Sequence, residues 1–220
     1  MMKWFFKWLF RLFLLAVVLV VILLLSLNSI LRVVVENRVR AQTGMDAEIG
    51  KFSVGLIEPT VEIQNLKLYN PPDFGGTPFL NIPEIHVEYD RAALTRHEIH
   101  LTLLCFNLSE FDIVKNEAGQ TNLFSLGIPL TAKKSGGAAS FKKQTGYDFK
   151  SIDVLNVSIG KVRFIDLKNQ RNNREQIIGI EDLPLRNVKS QTDLAGLALL
   201  VALRGGDIFG SLLAPPNPGH

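Results

Sequence analysis

A single cysteine, Cys105, in a chain of 220 residues excludes an intramolecular disulfide and any cysteine-based metal cluster. It lies in Leu103-Leu104-Cys105-Phe106 and reads as a small core hydrophobe rather than a reactive thiol. Histidine is also scarce. His86, His97, His100 and His220 form no H-E-x-x-H or other ligand spacing. His97 and His100 are three apart, and on a strand that spacing points them to opposite faces. The chain has no G-x-S-x-G, Walker-type loop or dinucleotide fingerprint, and Gly75-Gly76 and Gly136-Gly137 do not precede helices that could hold phosphate. With no catalytic, cofactor-binding or metal-binding constellation, the expectation is a protein that is not an enzyme and carries no cofactor.

Basic excess is missing where a nucleic acid would need it. Of 24 basic and 21 acidic residues, six basic and one acidic fall in 1–40. The rest of the chain is slightly acidic and offers no electrostatic footprint for a phosphate backbone. Lys133, Lys134, Lys142 and Lys143 form the one basic cluster, and they fall in a small-residue, turn-rich stretch that reads as solvated linker.

What the chain does have is an uninterrupted apolar run. Between Arg11 and Arg32 there is no charged residue. Roughly 20 residues at a rise of about 1.5 Å span a hydrocarbon core of about 30 Å, so 12–31 is predicted to be a transmembrane helix. Lys3, Lys7 and Arg11 make a basic N-terminus over 1–11, with Trp4 and Trp8 at the interfacial position. The positive-inside tendency then leaves the N-terminus in the cytoplasm. The run exceeds the roughly 7–15 residues of a signal-peptide h-region and no A-x-A-like site follows, so an uncleaved single-pass anchor is expected. Ile30, Val33, Val34, Val35 and Val39 continue a helical pattern through 32–44, with Thr43-Gly44 as its stop.

From Met45 the period changes to two. A first β section over 45–130 holds strands at Ile49–Leu56, Thr60–Tyr69, Phe79–Asp90, Glu98–Leu108 and Glu110–Asn116, then a short strand at Asn122–Leu126. In the second, Val61 and Ile63 give way to Leu66 and Leu68 in the opposite parity, which predicts a β-bulge at Gln64-Asn65. A flexible linker is expected over 131–148. A second β section over 149–192 would hold two strands divided near Ser158-Ile159-Gly160, then weaker strands at Gln176–Ile180 and Leu185–Lys189. Asp193 caps a predicted short helix over 193–206, and 207–220 reads as a disordered tail. The fold class expected is mainly β: the membrane helix, a curved antiparallel, groove-like sheet and a short C-terminal helix. About ten strands at roughly 4.8 Å would give a sheet of about 45–50 Å.

Leu108–Asn116 and Val157–Asn169 echo one another, each following an apolar strand and ending in an Asn-containing turn. The segments Leu66-Lys67-Leu68-Tyr69-Asn70-Pro71-Pro72-Asp73-Phe74-Gly75-Gly76-Thr77-Pro78-Phe79-Leu80 and Phe111-Asp112-Ile113-Val114-Lys115-Asn116-Glu117-Ala118-Gly119-Gln120-Thr121-Asn122 follow a single membrane helix in that order. This pattern resembles the N-terminal module of the AsmA-like family of bacterial envelope proteins, over about 1–126 and more loosely over 149–190. The family is similar to the bridge-type lipid-transfer proteins. The resemblance implies a bacterial inner-membrane protein with its C-terminal domain in the periplasm. Phospholipid transport or help in outer-membrane assembly is the implied role. The chain is much shorter than the large family members, so no complete bridge between two membranes is implied.

The candidate functional surface is the apolar sheet face, to which Val61, Ile63, Leu66, Leu68, Ile85, Val87, Tyr89, Leu101, Leu103, Phe111, Ile113, Val162 and Phe164 are assigned as lipid-facing. One short helix cannot cover so many strands, which leaves phospholipid, an envelope protein or a second copy of the chain as its occupant. The alternative reading is a membrane-tethered scaffold that docks another envelope protein and carries no lipid.

Overall fold

The computed structural model describes residues 28–41, 43–55, 57–125, 142 and 145–213. Helix α1 occupies residues 28–41. The chain leaves it at Gly44, whose φ of +69° is free of Cβ penalty and whose N–H reaches the Arg40 carbonyl at 2.9 Å. Six strands follow: β1 (Asp46–Val54), β2 (Thr60–Tyr69), β3 (Pro78–Tyr89), β4 (Glu98–Lys115), β5 (Asp148–Asp166) and β6 (Arg174–Val188). Helix α2 (Arg91–Thr95) joins β3 to β4, α3 (Asn122–Ser125) follows β4, and α4 (Ala195–Leu213) follows β6. Of the expected transmembrane helix, residues 12–27 lie outside the described residues. Among the described residues no helix is long and apolar enough to cross a membrane.

The strands form one sheet in chain order. Every neighbouring pair is antiparallel except β4 and β5, which are parallel. The expected antiparallel sheet is thus corrected to a mixed one. A tight hairpin joins only antiparallel neighbours, whereas here the chain returns the length of the sheet before β5 opens opposite Glu98. Most of the expected linker falls in that return and lies outside the described residues. The two expected β sections share the one sheet.

Strand number is also corrected, from about ten to six. The breaks expected at Ser109, at Ser158–Gly160 and between Ile180 and Leu185 interrupt the alternation without ending a strand, so β4, β5 and β6 run for 18, 19 and 15 residues. Asn122–Ser125 is helical rather than extended. Helical residues run on to Leu213, but Gly206, at φ +51° and ψ −131°, is non-helical and divides them, so the expected end at 206 falls at a kink between two helical pieces. Residues 207–213, expected in a disordered tail, are helical and form the second piece of α4, beyond that kink.

The interruptions line up in space as a transverse crease. In β1, a Cβ on Gly50 would stand 3.0 Å from Asn65 Cβ of β2. Asn65 has φ +54°, a left-handed conformation that Asn tolerates better than most residues. Pro83 of β3 lies between the partners of Leu66 and Gln64. In β5, a Cβ on Gly160 would come within 2.4 Å of the Ser109 carbonyl oxygen of β4. Gly179 of β6 has φ +58°, and the β5–β6 register slips on both sides of Ile159.

Across this line the parity of apolar positions reverses in all six strands. Phe52 gives way to Ile49 in β1, Ile63 to Leu66 in β2, Ile85 to Ile82 in β3, Phe106 to Phe111 in β4, Val157 to Val162 in β5, and Leu183 to Ile180 in β6. The expected bulge at Gln64-Asn65 is corrected on this point. The β1–β2 register is unchanged from Val54 opposite Val61 to Asp46 opposite Tyr69, so no residue is inserted. A left-handed residue in place of an extra one rolls the strand.

Both ends of the sheet are managed. The free edge of β1 is taken by side chains of α1 spaced four apart. Asn28 Oδ1 accepts from Val54 N–H at 3.3 Å, Glu36 Oε1 accepts from Ile49 N–H at 2.9 Å, and Arg32 donates to the Gly50 carbonyl at 3.4 Å. At the other end α4 lies on β5 and β6, and Arg204 donates to the Ile178 and Gly179 carbonyls at 2.9 and 2.6 Å.

Candidate functional site

Residues directly opposite in a ladder present side chains to the same face. One continuous row therefore runs Phe52, Ile63, Ile85, Phe106, Val157 and Leu183, and a second runs Val54, Val61, Val87, Leu104, Leu155 and Leu185. Beyond the crease, Ala47, Leu68, Leu80, Phe111 and Val162 make a third. The two core clusters, one on either side of the crease, share Ile159 and the α4 residue Leu197. Both halves therefore lie on the α4 side, and the crease keeps the apolar face continuous through the parity reversal.

Coverage of that face is uneven. Under α4, Leu155, Val157, Ile178, Ile180 and Val188 are buried, and so are Ile49, Ile82 and Ile113 on the far side of the crease. Phe52, Val54, Val61, Ile63, Ile85, Val87, Leu104 and Phe106 are only half-buried. These eight form a patch on β1–β4 at the end of the sheet where α1 begins.

Of the residues assigned from sequence, Val61, Ile63, Ile85 and Val87 lie in this patch. Tyr89 and Leu101 share a rung with Ile152 and Val188 at its margin. Leu66, Leu68, Phe111, Ile113, Val162 and Phe164 fall beyond the crease, where Ile113 and Val162 are closed core. Leu103 is corrected: its rung is Glu88, Leu103, Val154 and Arg186, on the opposite face. Sequence reasoning missed Phe52, Val54, Leu104 and Phe106. The run Leu103-Leu104-Cys105-Phe106 is apolar throughout and hides its own parity, and only a neighbouring strand reveals it.

Cys105 is likewise on the opposite face, on a rung with His86 and Asn156, and half-buried rather than in the core. Burial is the main cause pushing its thiol pKa up, so it is a weak nucleophile. That face is polar. Lys161 joins Glu110 and Glu175 at 3.2 and 3.1 Å, and Arg163 pairs with Asp112. Burial raises the Asp112 pKa in spite of the Arg163 guanidinium. Among the described residues no group of three or more His, Cys, Asp or Glu side chains is placed to hold a metal. A polar cleft of about 570 Å³ lies at the far ends of β4 and β5. Its Asp166 is occupied by Lys168 N–H, Asn169 N–H, Asn172 and Lys115.

The echoing segments lie side by side, since Phe111–Lys115 pairs in parallel with Val162–Asp166. Each strand end is taken by an Asn: Asn122 Oδ1 accepts from Val114 N–H at 3.1 Å and Asn173 Oδ1 from Asp166 N–H at 2.9 Å. Asn122 also donates to Asn70 Oδ1 and to the Asp112 carbonyl, both at 2.8 Å. The segments Leu66–Leu80 and Phe111–Asn122 thus meet in one buried contact that fixes the far end of the sheet.

At the patch end, His100 of β4 lies 2.9 Å from Asp153 of β5 and 3.6 Å from Asp90, the N-cap of α2. Its pKa is raised, chiefly by the hydrogen bond to Asp153, with Asp90 adding to it. A raised imidazole pKa contributes stability that is complete below its ordinary value near 6.5 and lost as pH rises through the raised one. His100→Gln is therefore expected to lower the Tm most at about pH 5.5 and little at about pH 8.5. Thermal unfolding of both proteins across that range checks this, and a Tm difference that grows with pH contradicts it.

Comparison with protein-family models, with curated proteins and with solved structures returns no match to this chain.

Proposed function

We propose that this is a bacterial inner-membrane protein, single-pass with its N-terminus in the cytoplasm, whose periplasmic sheet handles phospholipid. Transport of phospholipid, or assistance to outer-membrane assembly, is the activity. The half-buried patch on β1–β4 carries the reading. Fully burying a Val, Leu, Ile or Phe side chain contributes about 1.5–3 kcal/mol, and here eight neighbours on one face stop short of that. An acyl chain supplies the missing apolar contact without asking for any hydrogen bond. The AsmA-like pattern supports the same ligand, with the sheet as a groove whose floor is the patch. No chemistry is required of the site, so no enzyme activity is proposed.

The full chain, extracted in detergent and exchanged into lipid-free micelles, should retain phospholipid detectable by mass spectrometry. Val87→Asp together with Phe106→Glu should remove it without loss of the folded sheet by circular dichroism. Protein that retains no phospholipid before mutation contradicts the proposal.

A further inference from the structure

We propose that the β1–β2 turn and the outward face of α1 are a membrane-interface contact, with Ile57 inserted among the headgroups of the bilayer that the run 12–31 enters. This rests on the anchor reading of that run and not on the lipid-handling role of the patch.

The turn is built to project. Gly55 N–H bonds the Thr60 carbonyl and Thr60 N–H bonds the Glu58 carbonyl, both at 2.8 Å. A Cβ on Gly55 would fall 2.3 Å from the Glu58 carbonyl oxygen, so only glycine closes the turn this tightly. Hairpin tips ordinarily carry Asn, Asp, Ser or Gly, yet this tip reads Gly55-Leu56-Ile57-Glu58-Pro59 and Ile57 is 91% exposed. One exposed Ile alone means nothing.

Its company does. The exposed large hydrophobic side chains among the described residues are Ile30, Val33, Val34, Ile57, Ile177, Leu199 and Leu203, and the first four lie on α1 or this turn. Ile30, Val33 and Val34 have the spacing of a single helix stripe. They stand outward while Asn28, Arg32 and Glu36 hold the β1 edge.

Chain continuity supplies the occupant. Asn28 belongs to the far end of the apolar run and its side chain bonds Val54, so that end of the run is fastened beside the turn. Ile57 is three residues from Val54, within about 10 Å. An interfacial segment sinks its apolar side about 5–10 Å into the headgroup region, which matches that reach. Glu58, Asp90 and Glu98 share this end with Arg91, Arg96 and Lys150, so the contact is apolar rather than an attraction to anionic lipid. The half-buried patch ends at the same corner, with Val54 and Val61 next to the turn.

The test uses the full chain with Cys105→Ser, bearing one environment-sensitive fluorophore through Ile57→Cys, Ile30→Cys or, at the opposite end, Glu117→Cys. Each is reconstituted in phosphatidylcholine–phosphatidylglycerol vesicles doped with lipid carrying a nitroxide near the headgroup. Quenching at 57 and 30 is expected to be at least about threefold stronger than at 117, where the label sits in water. Equal quenching at 57 and 117 in protein that resists carbonate extraction overturns the contact and leaves the anchor standing. Release of the protein by carbonate overturns the anchor, and the contact with it.

Discussion

Asn122→Ala is expected to cost about 4 kcal/mol of folding stability, the sum of buried groups left without partners at about 1–3 kcal/mol each. Asn122 is fully buried, and its partners Val114 N–H, the Asp112 carbonyl and Asn70 Oδ1 belong to residues at most 3% exposed. Alanine leaves all three without this partner. Asn122→Asp separates the donor from the acceptor. The Val114 bond survives, but an oxygen then faces two oxygens, so the loss should persist at neutral pH and ease in acid as the carboxyl protonates. Urea unfolding of the full chain in detergent reads both. A loss below about 1 kcal/mol for the alanine variant would mean that the two motif segments meet without holding one another.

Gly160→Val is the second large effect, and it addresses the crease. The Cβ position 2.4 Å from the Ser109 carbonyl oxygen meets backbone rather than a flexible side chain, so β4 and β5 must part. Overpacking typically costs about 1–3 kcal/mol; the upper end is expected here because a ladder must open as well. Gly50→Ala, whose Cβ would stand 3.0 Å from Asn65 Cβ, should cost less. Denaturant midpoints for the two variants test the order. If Gly160→Val is tolerated as well as Gly50→Ala, the close approach at the crease is not what fixes the β4–β5 pairing.

The crease also explains how far the sequence could be read. Some of the slips left a mark in the sequence: Val61 and Ile63 against Leu66 and Leu68, the interruption at Ser109, and Gly160 within β5. Read one strand at a time, a slip looks like a bulge, a turn or a strand end, and that reading multiplied the strands. Only cross-strand register shows that the slips fall on one line and that long strands pass through it. The parallel β4–β5 pair was hidden for a different reason. Parallel and antiparallel neighbours share the same alternation, and direction depends on the connection. The edge cover was hidden because Asn28, Arg32 and Glu36 look like an ordinary polar face until β1 is set beside them. Half of the patch was legible, Val61, Ile63, Ile85 and Val87, since β2 and β3 alternate cleanly there. Leu103 was not, because Leu103, Leu104 and Phe106 are apolar on both faces of the strand.

The apolar patch as a phospholipid surface is tested most directly by residue-resolved photocrosslinking of the full chain in its membrane. Ile85 and His86, like Cys105 and Phe106, are neighbours in sequence on opposite faces of the sheet. A benzophenone side chain at 85 or 106 should yield phospholipid adducts, and the same group at 86 or 105 should not. Equal lipid labelling on both faces, or a discrete protein adduct at 85 and 106 in place of lipid, would contradict the account.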